Sequence, residues 1–246
     1  MTTEPGTWVS NRFLASLSPV DIETLEPWLS RVSLSLGETV QRLDDVVDTV
    51  YFPVKAILSV VTMMVDGRGV ESFSIGRESG YGLVNCLGAK SGFSQVVAQV
   101  PGEVWCIPVA RLKAAAEQSP AIRNLIVRHA QAHAAMAEQS AACNALHQVN
   151  ARLSRWLLLS QDRAGSDTLP LTQEFLGLML GVRRTTVTLA AQALSAAGLI
   201  RYSRGRLEIL DRAGLEHASC ECYGTVNRRY AELLGGDFIQ TDGPAG

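Results

Sequence analysis

Between Gly102 and Gly165 the chain has no glycine, and between Pro120 and Pro170 no proline. Ala, Leu, Arg and Gln, all good helix formers, dominate the stretch from Pro120 to about Asn150. About 30 residues at 1.5 Å each predict a helix of about 45 Å, longer than a small domain usually needs. What lies before it differs. Residues 31–110 hold short β-rich pieces, "TVYFPV", "AILSVVTMM", "VESFSIG", "SQVVAQV" and "EVWCIPV", separated by "DGRG", "GRESGYG", "GAKSG" and "PGE". Short strands at this spacing with glycine turns predict an antiparallel barrel or sandwich rather than a parallel α/β sheet. Residues 12–30 read as helix, with Ser18 as N-cap and Pro19 at the first helical position. We therefore expect an α+β protein of three parts: a β-barrel over 1–116, a long helix over 117–150 and a C-terminal domain over 151–246.

Along the long helix Ile122, Ile126, His129, His133, Met136, Ser140 and Cys143 recur at three- and four-residue steps. The spacing is coiled-coil-like, so we read it as a dimerisation seam, with packing on the chain's own barrel as the alternative. His129 and His133 stand at i and i+4, but two histidines alone do not make a metal site. They are read as solvated or interface residues, and no metal ligand is expected.

Charge is uneven. Of 22 basic and 24 acidic residues, positions 1–110 hold 7 and 12, and positions 111–160 hold 6 and 2. Six arginines fall between Arg183 and Arg212, against Glu208 and Asp211 only. A local basic patch matters more for phosphate binding than the whole-chain balance. No apolar run is long enough to span a membrane, and the N-terminus does not read as a secretory signal. Five cysteines without regular spacing do not form a disulfide framework. A reducing cytoplasm is the simplest compartment.

The basic patch has an internal order. Thr172 is placed to cap a helix over "QEFLGLML", with Phe175, Leu176, Met179 and Leu180 on its apolar face; Gly181 permits a turn. A second helix runs from about Arg183 to Ala197 and stops at Gly198. Two short helices joined by a turn with glycine make a helix-turn-helix. On the second helix Val187, Ala190, Ala191 and Leu194 form a buried stripe, leaving Arg184, Thr185, Thr188, Leu189 and Gln192 outside it. Arg184 suits a bidentate contact to guanine, while Arg183 and Thr186 suit phosphates. "LIRYSRGRLEIL" reads as a hairpin wing whose Arg201, Arg204 and Arg206 lie near the phosphate backbone. Gln173 completes the candidate DNA-binding set. An unrelated helical pair beside a solvated hairpin is the plain alternative, and the ordered combination speaks against it.

The stretch "LTQEFLGLMLGVRRTTVTLAAQALSAAGLIRYSRGRLEILDRAGL" (171–215) resembles the C-terminal winged helix of the cyclic-AMP receptor protein/Fnr (Crp/Fnr) family of bacterial transcription regulators. With the order barrel, long helix, winged helix, the likeness spans about residues 12–220. It implies a cyclic-nucleotide-binding-like jelly-roll barrel and a homodimer joined through the long helix. It also implies a two-fold-symmetric operator on double-stranded DNA, with half-sites about one helical turn apart. RNA polymerase is a further candidate partner. By position Arg184 matches the family's base-reading Arg. Thr185 stands where many members have Glu, and Leu189 where many have a second Arg, so the half-site sequence is not transferable.

The barrel departs from the family too. Nucleotide-binding members pair Gly with Glu at the ribose and place an Arg at the phosphate. Here Gly80 is followed by Tyr81 and Gly82, and Phe93, Ser94 and Gln95 precede "VVAQV" without an Arg. A buried phosphate needs such a partner. Cyclic AMP is therefore not expected as effector, no cofactor is expected, and the degenerate pocket near Gly80, Tyr81, Gly82, Ser94 and Gln95 leaves room for another small molecule or for none. An effector would re-aim the recognition helices through a hinge near residues 147–155. Iron–sulfur ligation is disfavoured, because the first cysteine is Cys86 and only Cys220 and Cys222 are close in sequence; the pair is read as structural. No nucleophile elbow, phosphate loop or His-Glu-x-x-His appears, so an enzyme is not expected. A regulator controlled by abundance alone and a winged helix that binds protein instead of DNA remain as rival readings.

Overall fold

The computed structural model describes residues 7–203 and 205–235. The chain divides into two compact units, 1–60 with 74–133 and 61–73 with 134–246.

The first unit begins with two short helices, α1 (Arg12–Ala15) and α2 (Pro19–Leu25), where the sequence reading had one longer helix. Asn11 explains the start. It is fully buried, its Oδ1 accepts from the Phe13 and Leu14 amides, and its Nδ2 donates to the Pro53 and Ser79 carbonyls at 2.8 Å each. All its polar capacity on the side chain is thus used, which makes its burial tolerable. Ser18 caps α2 as expected, accepting from the Asp21 amide.

Seven strands follow: β1 (Ser30–Leu34), β2 (Thr39–Gln41), β3 (Thr49–Pro53), β4 (Ile57–Met63), β5 (Gly69–Ile75), β6 (Gln95–Val100) and β7 (Gly102–Pro108). The five β-rich pieces became β3 to β7. β1 and β2 went unread because exposed Ser, Arg and Thr interrupt any apolar alternation there. The strands form two sheets, β1-β7-β3 and β2-β6-β4-β5, with β1–β7, β3–β7 and β2–β6 antiparallel. They do not close into the expected barrel. Two isolated bridges, Val46–Ser91 and Tyr51–Tyr81, lie outside the named strands.

The core of this unit joins Phe13, Leu14, Phe52, Trp105, Ile107, Leu112, Ile122 and Ile126. Phe13 and Phe52 stack at 5.2 Å. Leu112 comes from α3 (Val109–Gln118); Ile122 and Ile126 come from the start of α4 (Pro120–Leu146).

α4 has 27 residues and bears out the long helix, but its seam needs correcting. Ile122, Ile126, His129, Met136, Ser140 and Cys143 are buried within a single chain. Ile122, Ile126 and His129 pack in the first unit, and Met136 and Cys143 against residues of the second, so the seam is an intramolecular face only partly laid on the β-rich unit. Nor are the two histidines solvated. His129 is 2 % exposed, its Nδ1 is 2.8 Å from Ser79 Oγ, and Phe13 meets its ring edge-on. Burial and the neighbouring His133 hold its pKa down to about 3. His133 Nε2 lies 2.9 Å from the same hydroxyl.

The helix breaks at His147–Gln148, and α5 (Val149–Ala164) follows. Residues 161–169 end α5 and begin strand β8 (Thr168–Pro170). Then come α6 (Gln173–Leu180), α7 (Arg184–Ala196), β9 (Ile200–Ser203), β10 (Arg206–Ile209), α8 (Arg212–Ala218) and α9 (Cys222–Leu234). β8, β10 and β9 form one antiparallel sheet, in that order. Every position from Arg152 to Arg163 is buried, charged ones included. Asp162 shows how that is tolerated. Arg212 Nη1 lies 2.9 Å from it, and the Tyr223 hydroxyl donates to it at 2.8 Å. Burial pushes the Asp162 carboxyl up and the Arg212 guanidinium opposes that shift. The triad ties α8 and α9 to α5. Among the described residues no helix is long and apolar enough to cross a membrane.

Candidate nucleic-acid interface

α6 and α7 are built as their residues demand. The Thr172 hydroxyl accepts from the Phe175 amide, and Glu174 occupies the first turn of α6. α6 ends at Gly181, whose φ of +64° is one that side-chain-bearing residues rarely adopt. The buried Arg152 guanidinium donates to the Leu180 carbonyl, a cation placed at a helix C-terminus. α7 then starts at Arg184, with Val187, Ala190, Ala191 and Leu194 all at 5 % exposure or less. Two small residues in that stripe let α6 and α5 approach closely. No side chain caps the first turn of α7, so its leading amides are left for another acceptor.

The opposite face carries the expected readers. Arg183, Arg184, Thr185, Leu189 and Gln192 are exposed, and Thr186, Thr188 and Gln173 are half-buried. Two of these have partners the sequence did not disclose. Arg184 Nη1 sits 2.6 Å from Glu174 Oε1, in a pair whose side chains are about two-thirds exposed. The Thr188 hydroxyl lies 2.8 Å from Gln173 Oε1 and 3.0 Å from the Arg184 carbonyl, so its single proton is used inside the domain. Gln173 and Thr188 thus join the two helices. An exposed pair such as Arg184–Glu174 is worth about 0–1 kcal/mol, whereas a bidentate arginine–guanine contact discriminates by about 1–3 kcal/mol. The pair is therefore weak enough to give way to a stronger partner.

The wing is as expected in outline. Arg201 and Arg206 are exposed on β9 and β10; Arg204 lies outside the described residues. Arg201 is opposite Glu208 in the strand register and pairs with it at 2.9 Å. The Tyr202 hydroxyl donates to the Leu171 carbonyl, anchoring the wing to the entrance of α6. The tip of the β4–β5 hairpin belongs to the same unit. Trp156 Nε1 donates to the buried Glu71 at 2.9 Å, and Arg68, Val70, Leu178 and Arg183 help line an open cleft of about 820 Å³. Sequence reasoning missed this contact because residues 61–73 read only as strand and turn.

Gly80, Tyr81 and Gly82 of the expected effector pocket have structural roles. A Cβ on Gly80 would come within 2.8 Å of the Phe52 ring, and one on Gly82 within 2.9 Å of the Thr49 carbonyl. Tyr51 and Tyr81 exchange backbone hydrogen bonds, so these glycines let the loop press against β3. Tyr81 is half-buried, which raises its phenol to about 12. Ser94 and Gln95 are half-buried at the start of β6.

The residues that could hold a metal lie elsewhere. Cys143, His147, Cys220 and Cys222 converge within the second unit, although the sequence reading treated Cys143 as isolated and expected no metal ligands. Cys143 Sγ and Cys220 Sγ lie 3.5 Å apart. That contact pushes Cys143 up and pulls Cys220 down to about 5.

Residues 151–218 match the model of the Crp-like helix-turn-helix domain. The C-terminal domain is a Crp-like helix-turn-helix. None of the curated proteins matches the chain. Among solved structures, FixK2 from Bradyrhizobium japonicum is similar at 18 % identity and a TM-score of 0.67, over 78 % of this chain and 98 % of that one. A Crp-family transcriptional regulator from Thermus thermophilus follows at 19 % and 0.64, over 77 % and 96 %. The c-di-GMP-responsive global regulator CLP of Xanthomonas campestris matches at 16 % and 0.61, over 78 % and 99 %. At these identities the structures speak for the fold. Domain match and fold together bear out the Crp/Fnr resemblance.

Proposed function

We propose that the protein is a sequence-specific transcription regulator that binds a two-fold-symmetric operator as a homodimer. The observation that carries this reading is the split of α7 into two faces. Val187, Ala190, Ala191 and Leu194 are spent on the core, which leaves Arg184, Thr185, Leu189 and Gln192 as one exposed strip at the helix mouth. Arg184 reads guanine, Arg183 and the open amides of α7 hold phosphate, and Arg206 contacts the backbone beside it. Thr185 and Leu189 make the half-site this protein's own.

Dimerisation takes the other face of α4. With the Ile122–Cys143 seam spent inside the chain, Val127, Gln131, Ala134, Glu138, Ala141 and Ala145 form an exposed three-four repeat. Its alanines permit close approach of a second helix. Control by a ligand is a separate matter. CLP of Xanthomonas campestris responds to c-di-GMP, so a cyclic dinucleotide is a fair probe here. The packed Gly80 and Gly82 and the missing Glu and Arg favour control by abundance over control by cyclic AMP.

Binding-site selection with the purified protein, followed by footprinting and sedimentation, tests the proposal. A dimer protecting half-sites about 10–10.5 base pairs apart is expected. An asymmetric footprint on a monomer overturns the dimer, and the absence of salt-dependent DNA binding leaves the protein-interaction reading. Thermal shifts with cyclic AMP and c-di-GMP then separate ligand control from abundance.

A further inference from the structure

We infer that Cys143, His147, Cys220 and Cys222 form a single-ion site for a thiophilic divalent metal of the zinc type. Four independent features of the second unit converge on this.

The first is spacing. All four ligand atoms lie within 4.8 Å of one another, with Cys143 Sγ–Cys220 Sγ and Cys222 Sγ–His147 Nδ1 both at 3.5 Å. A tetrahedral ion with metal–sulfur bonds of about 2.3 Å and metal–nitrogen bonds of about 2.0–2.1 Å sets neighbouring ligands about 3.5–3.8 Å apart. The cysteines are free thiols. They are also too close to straddle an iron–sulfur cluster, in which the cysteines ligate different irons.

The second is histidine orientation. His147 Nε2 is 3.2 Å from Glu221 Oε1. A carboxylate there keeps the proton on Nε2 and leaves the Nδ1 lone pair facing Cys222, the usual outer-shell arrangement of a metal-bound histidine. The third is an outer donor to sulfur: Gln139 Nε2 approaches Cys222 Sγ at 2.9 Å. The fourth is charge. Arg155 is 6 % exposed, and its Nε and Nη1 find no acceptor among the described residues. A divalent ion with three thiolates and a neutral imidazole carries one net negative charge, which a buried guanidinium nearby balances.

All four coordination positions come from protein, so the site is closed and structural rather than catalytic. Cys143 lies in the last turn of α4, His147 in the α4–α5 break, and Cys220 and Cys222 lead into α9. The ion would pin that break to the α8–α9 junction and fix how the helix enters the DNA-binding domain. Binding displaces the thiol protons as each sulfur becomes a thiolate, and no redox step is involved.

The test uses the full chain, purified under reducing conditions. Elemental analysis is expected to find about one zinc per chain, and chelator-stripped protein should recover it from added Zn²⁺ alone. Co²⁺ should give thiolate-to-metal charge transfer and intense tetrahedral d–d bands. His147→Gln and Cys222→Ser should abolish stoichiometric binding, and Glu221→Gln should weaken it by about 10-fold. Should Cys222→Ser fail to fold, the half-buried His147→Gln decides alone. Reduced wild-type protein that takes up no Zn²⁺ or Co²⁺ overturns the site, as does an unchanged Co²⁺ spectrum in His147→Gln.

Discussion

Arginine does two opposite jobs in this domain. In α5, Arg152, Arg155 and Arg163 are each about 5 % exposed; Arg152 donates to the end of α6, and Arg163 Nη2 reaches Met136 Sδ at 3.3 Å. On α7 and the wing, Arg184 and Arg201 are about two-thirds exposed, each with one solvated acidic partner. A buried guanidinium cannot leave its partners without a large desolvation penalty, so α5 uses its charge to hold shape. An exposed one exchanges partners cheaply, so α7 uses its charge to meet a ligand. Which arginines are free to meet a ligand follows from burial, not from residue type.

The largest expected effect breaks the buried side. Asp162→Ala removes the buried acceptor shared by Arg212 and the Tyr223 hydroxyl and should lower stability by about 3–5 kcal/mol in urea denaturation. A loss below 1 kcal/mol would place the triad with the exposed pairs. Next, Arg184→Ala should cost about 1–3 kcal/mol of specific DNA binding, measured by fluorescence anisotropy, with non-specific binding nearly intact. Equal loss on both DNAs removes its base-reading role.

His129 extends the buried class to a basic group that stays neutral. Its folded pKa of about 3 lies below the ordinary 6.5, so the unfolded chain takes up the proton first. Its contribution to stability is therefore intact above pH 6.5 and is lost as pH falls from 6.5 towards 3, at about 1.4 kcal/mol per pH unit. Denaturation at pH 7 and 5.5, compared with His129→Gln, reads this directly; matching slopes would exclude it. On the exposed side, Arg206→Ala should flatten the salt dependence of DNA binding by about one phosphate contact and leave folding unchanged. The smallest effect is the sharpest discriminator. Glu174→Gln frees Arg184 and should tighten DNA binding by no more than about five-fold, the worth of an exposed pair. Weaker binding instead would mean that Glu174 positions Arg184 for the base.

Some of this could be read in the chain and some could not. The α6–turn–α7 unit, its caps at Thr172 and Gly181 and its two-faced second helix follow from spacings within 25 residues. The pairing of Glu174 with Arg184 was within reach too, since both sit at the mouths of adjacent helices. Arg204 of the wing lies outside the described residues, so its contact rests on sequence alone. The side of α4 that faces inward was not legible. Ala-rich helices offer several plausible seams, and the choice fell to Phe13, Ser79 and their neighbours, far away in sequence.

What the sequence determined by itself is therefore local: helix periodicity, capping, turns and the order of sheets, long helix and winged helix. Backbone sterics and hydrogen bonding act over a few residues, and their marks are written at that range. Tertiary structure alone decided that the sheets stay open, that Ile122–Cys143 faces inward, and that Cys143 meets Cys220 across 77 positions. Those outcomes depend on which distant apolar surfaces bury one another, and no spacing within a single element records that.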